Sequence, residues 1–308
     1  MPELTIAVYG DYVVDRVHRL IQPYRRHTAN TVATNLIPGG AGTHVASCLA
    51  RCGVTARALG HVGDDSEGRW LTAVLAERGI DISHLRQRGH TGVVTVLVEP
   101  GGERTFLIDT VQDARAPTMI DALTPAAIAG VDAVHVSGHT LIRDSQTRGA
   151  AEHIAKLRTA GLSTAIELPD PPTLAAFGVD HFHHVIDSAG FDLIFANAAE
   201  AAALGVGQSW TPRKGTCVVT AGGQPVTISS RHATVKIPVA PVTKRVIDTT
   251  GAGDVFAAAF FATWLTYHDP AAAVATAHRE ATRLISGAVP HVCGGFEVET
   301  GTTEPSGR

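Results

Sequence analysis

The feature that most restricts how this chain can fold is a regular exchange of short apolar runs with helical patterns. Leu4 to Tyr9 (LTIAVY) is apolar and stops at Gly10, as a buried strand does. From Gly42 the pattern turns helical: Val45, Cys48, Leu49 and Cys52 recur at helical spacing, and Gly53 suits the C-terminal cap. Val54 to Val62 reads as the next strand. Ser66 to Arg78 reads as an amphipathic helix with Trp70, Leu71, Val74 and Leu75 on one face. The exchange continues with strands at 131–136, 163–168, 191–196 and 216–220, and helices at 147–160, 198–204, from Gly253 onward and across 278–285. Strands alternating with helices imply a parallel sheet covered by helices.

Two β-rich stretches, 16–37 and 91–108, interrupt the exchange. In the second, the β-branched run Thr91 to Val98 meets a Pro100-Gly101-Gly102 turn and returns along Arg104 to Ile108, a hairpin signal. These insertions are expected to form a small β-lid over one edge of the sheet, of the kind that excludes water from a catalytic site. Val226 to Val239 reads as a further hairpin. One domain over 1–290 and a flexible tail over 291–308 are expected.

Composition removes several function classes. With 44% apolar and 18% charged residues the chain is globular. A net charge of −4 carries no basic nucleic-acid footprint, and no Lys/Arg run addresses a membrane surface. The apolar stretch Val255 to Leu265 is too short to span a bilayer, and Met1-Pro2-Glu3-Leu4 has no basic region ahead of an apolar run, so no signal peptide is expected. Four cysteines make no disulfide framework, so a cytoplasmic location is expected.

The segment Asp248-Thr249-Thr250-Gly251-Ala252-Gly253-Asp254 carries the chemistry. Small residues between a strand end and a long helix let the backbone turn tightly and present N–H groups at a helix N-terminus, an anion hole for phosphate charge. Asp254 then has two readings. It is either a general base taking the proton of a hydroxyl nucleophile or an acidic residue complementing the helix end.

Context separates the two. This segment resembles the C-terminal signature of the PfkB carbohydrate kinases, the ribokinase-like family. Pro38-Gly39-Gly40-Ala41-Gly42-Thr43-His44-Val45-Ala46 resembles its other signature. Gly10-Asp11-Tyr12-Val13-Val14-Asp15, Gly60 to Gly68, Gly102-Glu103-Arg104-Thr105-Phe106 and Asn197-Ala198-Ala199-Glu200 follow the family order. The resemblance spans 4–290 and implies a three-layer α/β/α sandwich with a small β-sheet lid. It implies an ATP-dependent kinase acting on a hydroxyl of a sugar or sugar-like substrate. Asp254 would be the base, with Gly251, Ala252 and Gly253 as the anion hole. Asn197, Glu200, Thr220 and Gly222 would serve ATP, with Glu200 holding Mg²⁺ through water. Asp15, Gly39, Gly40 and His44 would face the sugar. Asp248 and Thr250 lie where some members bind potassium, and a homodimer through the lid is implied.

Departures bear on the substrate. His44 stands where the signature usually carries Asn, and Glu167-Leu168-Pro169-Asp170-Pro171 stands where many members have an Asp-Pro-Asn-type strand end. Gly10-Asp11-x-x-x-Asp15-Arg16 is similar to the opening of bacterial heptose-phosphate kinases. Two alternatives stay open: a nucleoside kinase of the family, and a non-catalytic sugar-binding regulatory member.

His181, His183 and His184 read as a polar surface turn rather than a metal site, because no Cys or carboxylate pattern completes one. Cys48 and Cys52 read as core residues. Arg104 reads as a solvated strand-end charge ahead of a phosphate contact. His278 falls near the expected adenine pocket, either contacting the base or satisfied within its helix packing. There is no G-x-x-x-x-G-K-[ST] P-loop and no G-x-G-x-x-G after the first strand.

Overall fold

The computed structural model describes residues 4–108, 118–144 and 146–289; the expected tail at 291–308 lies outside them. In chain order the strands are β1 (Thr5–Tyr9), β2 (Val13–Leu20), β3 (Val32–Gly39), β4 (Thr55–Val62), β5 (Leu85–Gln87), β6 (Val93–Val98), β7 (Arg104–Ile108), β8 (Ala133–Ser137), β9 (Ser163–Glu167), β10 (Leu193–Asn197), β11 (Thr216–Thr220), β12 (Val226–Ser229) and β13 (Thr234–Ile237). The helices are α1 (Ala41–Arg51), α2 (Ser66–Glu77), α3 (Met119–Ala122), α4 (Gly138–Arg143), α5 (Thr147–Thr159), α6 (Pro171–Phe177), α7 (Val179–Ala189), α8 (Ala198–Leu204), α9 (Ala252–Tyr267) and α10 (Pro270–Ile285).

Nine strands form one sheet in the order β13-β12-β11-β10-β9-β8-β1-β4-β5. It is parallel from β11 to β5, and only the β11–β12 and β12–β13 pairs are antiparallel. Side chains alternate across a strand, and β1 shows what that does here. Ile6 and Val8 enter one core with Val45, Leu49 and Phe260. Ala7 and Tyr9 enter the other with Met119, Leu141, Ile154 and Phe182. A strand buried on both faces loses the apolar–polar alternation, and so the central strands read as unbroken apolar runs.

Helix α9 is apolar on every side, with Val255 to Ala262 all buried. A helix of that kind lies inside the protein, and here it packs against α1 and α10. Its first turn, Ala252 to Asp254, is only partly buried and stands where α9 meets β9 and β10.

The two interruptions build a separate four-stranded sheet, β3-β2-β6-β7. One face closes over Val17, Ile37, Val96 and Val98. Leu36, Phe106 and Ile108 are exposed. Within the expected first stretch, 21–31 is loop rather than strand.

The three clustered histidines depart from expectation. His181, His183 and His184 lie on α7, whose buried face is Phe182, Val185, Ile186 and Ala189. His183 Nε2 donates to the Leu204 carbonyl at 2.8 Å, and its ring stacks on Trp210. Among the described residues no group of His, Cys, Asp and Glu could hold a metal ion by direct clustering, and no helix is long and apolar enough to cross a membrane.

Candidate active site

Parallel sheets bind ligands beyond the carboxyl ends of their strands. Here β9 ends on Glu167, β10 on Asn197 and β11 on Thr220, with Asn197 and Thr220 in register. These three residues line a cleft of ≈ 400 Å³ together with Glu200, Gly253, Asp254 and Phe256. The topology thus brings together Asn197, Glu200, Thr220, Gly253 and Asp254 from four separate elements. Gly222 and His278 are not among the residues lining this cleft. His278 Nε2 donates to the Ala240 carbonyl at 2.7 Å.

The turn into α9 has a left-handed residue, Gly251 at φ 73°, as its N-cap. Glycine is required twice there: for the positive φ, and because a Cβ would meet His44 Nδ1 at 3.0 Å. The Ala252 N–H donates to the Thr249 carbonyl at 3.1 Å. No side chain caps the helix. The next first-turn amides, on Gly253 and Asp254, have no acceptor within the helix, and they add to the positive end of the helix dipole. That is an anion-binding terminus opening on the cleft.

Asp254 is flanked on two sides. His44 Nδ1 lies 2.5 Å from its Oδ2. On the other side, Glu167 closes β9 and His135 sits beneath it in β8, with His135 Nε2 3.9 Å from Glu167 Oε2. Neither His135 nitrogen and neither Glu167 oxygen has a hydrogen-bond partner at standard geometry. Burial pushes the Glu167 carboxyl well above its usual range, and the Asp254 and Glu200 charges push it further. Burial depresses His135 to about 4. Both shifts favour the uncharged forms, which is how a buried pair lowers the cost of unpaired charge.

Asn197 and Glu200 form a reciprocal cap on α8. Asn197 Oδ1 accepts from the Ala199 and Glu200 N–H groups, both at 2.9 Å. Glu200 Oε2 accepts from the Asn197 N–H at 2.8 Å, and its Oε1 from Asn197 Nδ2 at 2.6 Å. This capping box fixes the Glu200 carboxylate at the cleft wall. Burial raises its proton affinity. A wall of Glu167, Glu200, Asp254 and Asn197 offers hard oxygen donors with few direct ligands, which fits Mg²⁺ that keeps several waters.

Asp15, Gly39 and Gly40 form a second group. The β2–β3 pairing sets Val13 opposite Gly39, and a Cβ on Gly39 would overlap the Asp15 carboxylate. Gly40 caps α1 at φ 90°, where a Cβ would overlap the Asp11 carbonyl. Asp15 lies close enough to His44 to feel its charge, but burial dominates and raises its carboxyl to about 6. Asp11 pairs with Arg143 at the end of α4.

Arg104 is not a solvated charge. From β7 it grips Asp248 through both carboxylate oxygens, at 2.7 and 2.5 Å, and donates to Thr250 Oγ1 at 2.6 Å. Asp248 is held down to about 2, with the Arg104 hydrogen bonds and those from Thr250 outweighing its burial. Both Asp248 carboxylate oxygens accept from the guanidinium, which leaves a monovalent cation a smaller share of that carboxylate.

Sequence reasoning assigned no role to Glu167 or His135. The only signal was the carboxylate ending a strand where the family signature differs. His135 sits in an ordinary apolar strand, and nothing local marks it.

The comparisons agree with this architecture. The model of the pfkB family carbohydrate kinases matches residues 4–286. An ATP-dependent ribose-1-phosphate kinase of Halopiger xanaduensis is 33% identical over 240 residues, covering 75% of this chain and 74% of that protein. An Escherichia coli structure described as a putative ribokinase II superposes with a TM-score of 0.76 at 18% identity, covering 95% and 96% of the two chains. A Pyrococcus horikoshii sugar kinase in complex with ATP superposes at 0.70 with 21% identity, covering 91% of each chain. The chain belongs to the PfkB family of carbohydrate kinases and is a phosphotransferase of the sugar and nucleoside kinases that make up that family.

Proposed function

We propose that this kinase transfers the γ-phosphoryl group of ATP to a hydroxyl of a sugar or sugar phosphate, with Asp254 as general base. The observation that carries this reading is the Asp254 carboxylate standing in the first turn of a helix whose amides open on the same cleft. A carboxylate there works against the anion site unless it removes a proton.

The step is in line. The acceptor oxygen forms its bond to the γ-phosphorus while the bond to the β-phosphate oxygen breaks. The hydroxyl proton passes to Asp254, and a sugar phosphate and ADP result. Gly251, Ala252 and Gly253 shape the turn, and the amides of Gly253 and Asp254 meet the transferring oxygens. Asn197, Glu200 and Thr220 border the phosphates. Glu200 would hold Mg²⁺ through water, and that ion supplies charge neutralisation on the phosphate oxygens. Asp15 would accept from sugar hydroxyls, with Gly39 and Gly40 giving the ring room. The small sheet would act as the lid, and its exposed Leu36, Phe106 and Ile108 suit burial against a second copy. The named activity of the Halopiger relative supports a phosphorylated pentose among the acceptors.

The test is a phosphotransfer screen with ATP over pentoses, hexoses, their 1-phosphates, heptose phosphates and nucleosides, run with the wild type and Asp254→Asn. An acceptor turned over by the wild type and lost by ~10²–10⁴-fold in the variant supports the reading. Near-normal turnover by the variant refutes it.

A further inference from the structure

Helix α1 is registered on the first turn of α9 at two points. His44 Nδ1 meets Asp254 Oδ2 at 2.5 Å, and one turn later Cys48 Sγ donates to the Val255 carbonyl at 3.5 Å. Residues four apart share a helix face, so one face of α1 touches two successive residues of α9. The His44 ring also lies against the backbone of Gly251. A Cβ there would meet its Nδ1 at 3.0 Å and its Cγ at 3.3 Å. The residue is 6% exposed and its Nε2 is shut from solvent. A ring held on both sides in this way cannot swing out to follow a ligand.

Building on the reading that Asp254 is the base, we propose that His44 is a positioning residue for phosphoryl transfer. Its Nδ1–H holds one oxygen of Asp254, and its ring seats against Gly251 of the anion hole. One side chain then fixes the base and the anion hole relative to each other.

The chemistry of the two groups sets the direction of the bond. An ionised carboxylate only accepts, so the hydrogen is on Nδ1. A hydrogen bond to a charged acceptor at this distance belongs to the strong class. Orientation of a reacting group is worth much of a catalytic step, and misplacement by about 1 Å costs on the order of 10²-fold. The imidazole faces carboxylates from three elements: Asp254 of α9, Asp15 of β2 and Glu167 of β9. Of these three, Asp254 meets its Nδ1 at 2.5 Å. The amide that the family signature usually carries here offers a donor nitrogen at nearly the place of Nδ1. Asn at 44 therefore keeps the contact that Ala removes.

The experiment is a double-mutant cycle on His44→Ala, His44→Asn, Asp254→Asn and His44→Ala/Asp254→Asn. For each, kcat, KM and the calorimetric Kd of the acceptor found in the screen are measured. Proton NMR of the unliganded protein follows the downfield imidazole N–H. The expected result is a fall of about 10- to 100-fold in kcat for His44→Ala, with acceptor Kd changed by less than about threefold. His44→Asn should restore most of the loss. The double variant should be no slower than Asp254→Asn, because groups acting as a unit are not additive. The downfield resonance should vanish in both His44→Ala and Asp254→Asn. Three results overturn the inference: an unchanged kcat with a raised KM, additive losses in the cycle, or His44→Asn as slow as His44→Ala. If His44→Ala fails to fold, the NMR signal and His44→Asn decide. An active Asp254→Asn would instead sink the base assignment, so the two failures are told apart.

Discussion

An ion pair ties the small sheet to the 248–254 segment, and Arg104→Ala measures it. The pair is well formed: two charge-assisted hydrogen bonds from the guanidinium to Asp248, with the side chains 26% and 11% exposed. Asp248 is held at about 2 against an ordinary 3.8. At ~1.4 kcal/mol for each tenfold change in proton affinity, the Arg104 and Thr250 bonds together contribute at most about 2 kcal/mol, since solvent screens a partly exposed pair. The folded value lies below the unfolded one, so this contribution is complete above the unfolded value and is lost as pH falls through the folded one. At pH 3 roughly half remains. An unfolding entropy of ~2.1 cal/mol/K per residue converts the loss at pH 7 into a Tm drop of at most about 3 °C. Scanning calorimetry of wild type and Arg104→Ala at pH 7 and pH 3 reads both quantities. Asp248→Asn in the Arg104→Ala background should recover part of the loss, because it removes the buried charge left without its guanidinium. A Tm difference below 1 °C at pH 7, or one as large at pH 3 as at pH 7, would refute the electrostatic account.

Three further outcomes follow from the carboxylates of the cleft and the sugar side. Glu200→Gln should raise the Mg²⁺ concentration needed for half-maximal rate by about tenfold or more while leaving acceptor KM within about twofold; an unchanged Mg²⁺ titration would reduce Glu200 to a helix cap. Burial raises Asp15 to about 6, so it gains its full acceptor capacity only above that pH. Acceptor KM should climb as pH falls through 6, and Asp15→Asn should flatten the profile. The same burial makes ionised Asp15 a cost to the fold at neutral pH, since an acid raised in the folded state loses stability as pH rises from its unfolded to its folded value. Asp15→Asn should therefore melt higher than wild type at pH 7, and a lower Tm would contradict the desolvation argument.

Much of the fold was legible because its signals are local. A strand such as Thr5–Tyr9 announces itself by an apolar run ended by glycine, and α1 by apolar spacing and Gly53. Three-residue β5 and four-residue α3 are too short to carry a period. Helix α7 was hidden because three histidines sit among Phe182, Val185 and Ile186, and polarity masked an apolar face that recurs every three to four residues. The site divides in the same way. The 251–254 turn and the Asn197–Glu200 box are contiguous, so residue type and spacing reveal them. The His44–Asp254 bond joins residues 210 apart and the Arg104–Asp248 pair residues 144 apart. Neither residue's neighbours in sequence hint at its partner. Arg104 looks solvated from its own hairpin, and only the topology brings the hairpin to Asp248.

The charge of the nucleotide cleft explains why its parts belong together. Among the described residues lining it are three carboxylates, Glu167, Glu200 and Asp254, and none that is basic. Three ionised acids in so small a space would repel one another and any incoming polyphosphate. The structure relieves this without a lysine or arginine. Glu167 is pushed towards its neutral form by burial and by the other two acids, and its neighbour His135 is kept uncharged beneath it. Glu200 is tied to two Asn197 N–H donors, and Asp254 lies against His44 and the start of α9. What remains is a wall of oxygen donors beside a helix terminus. Under the proposed function, such a wall would take a triphosphate together with a divalent cation that neutralises both sides. A nucleotide entering without the metal would meet the carboxylates directly, so the charge of the lining favours the metal complex of the nucleotide.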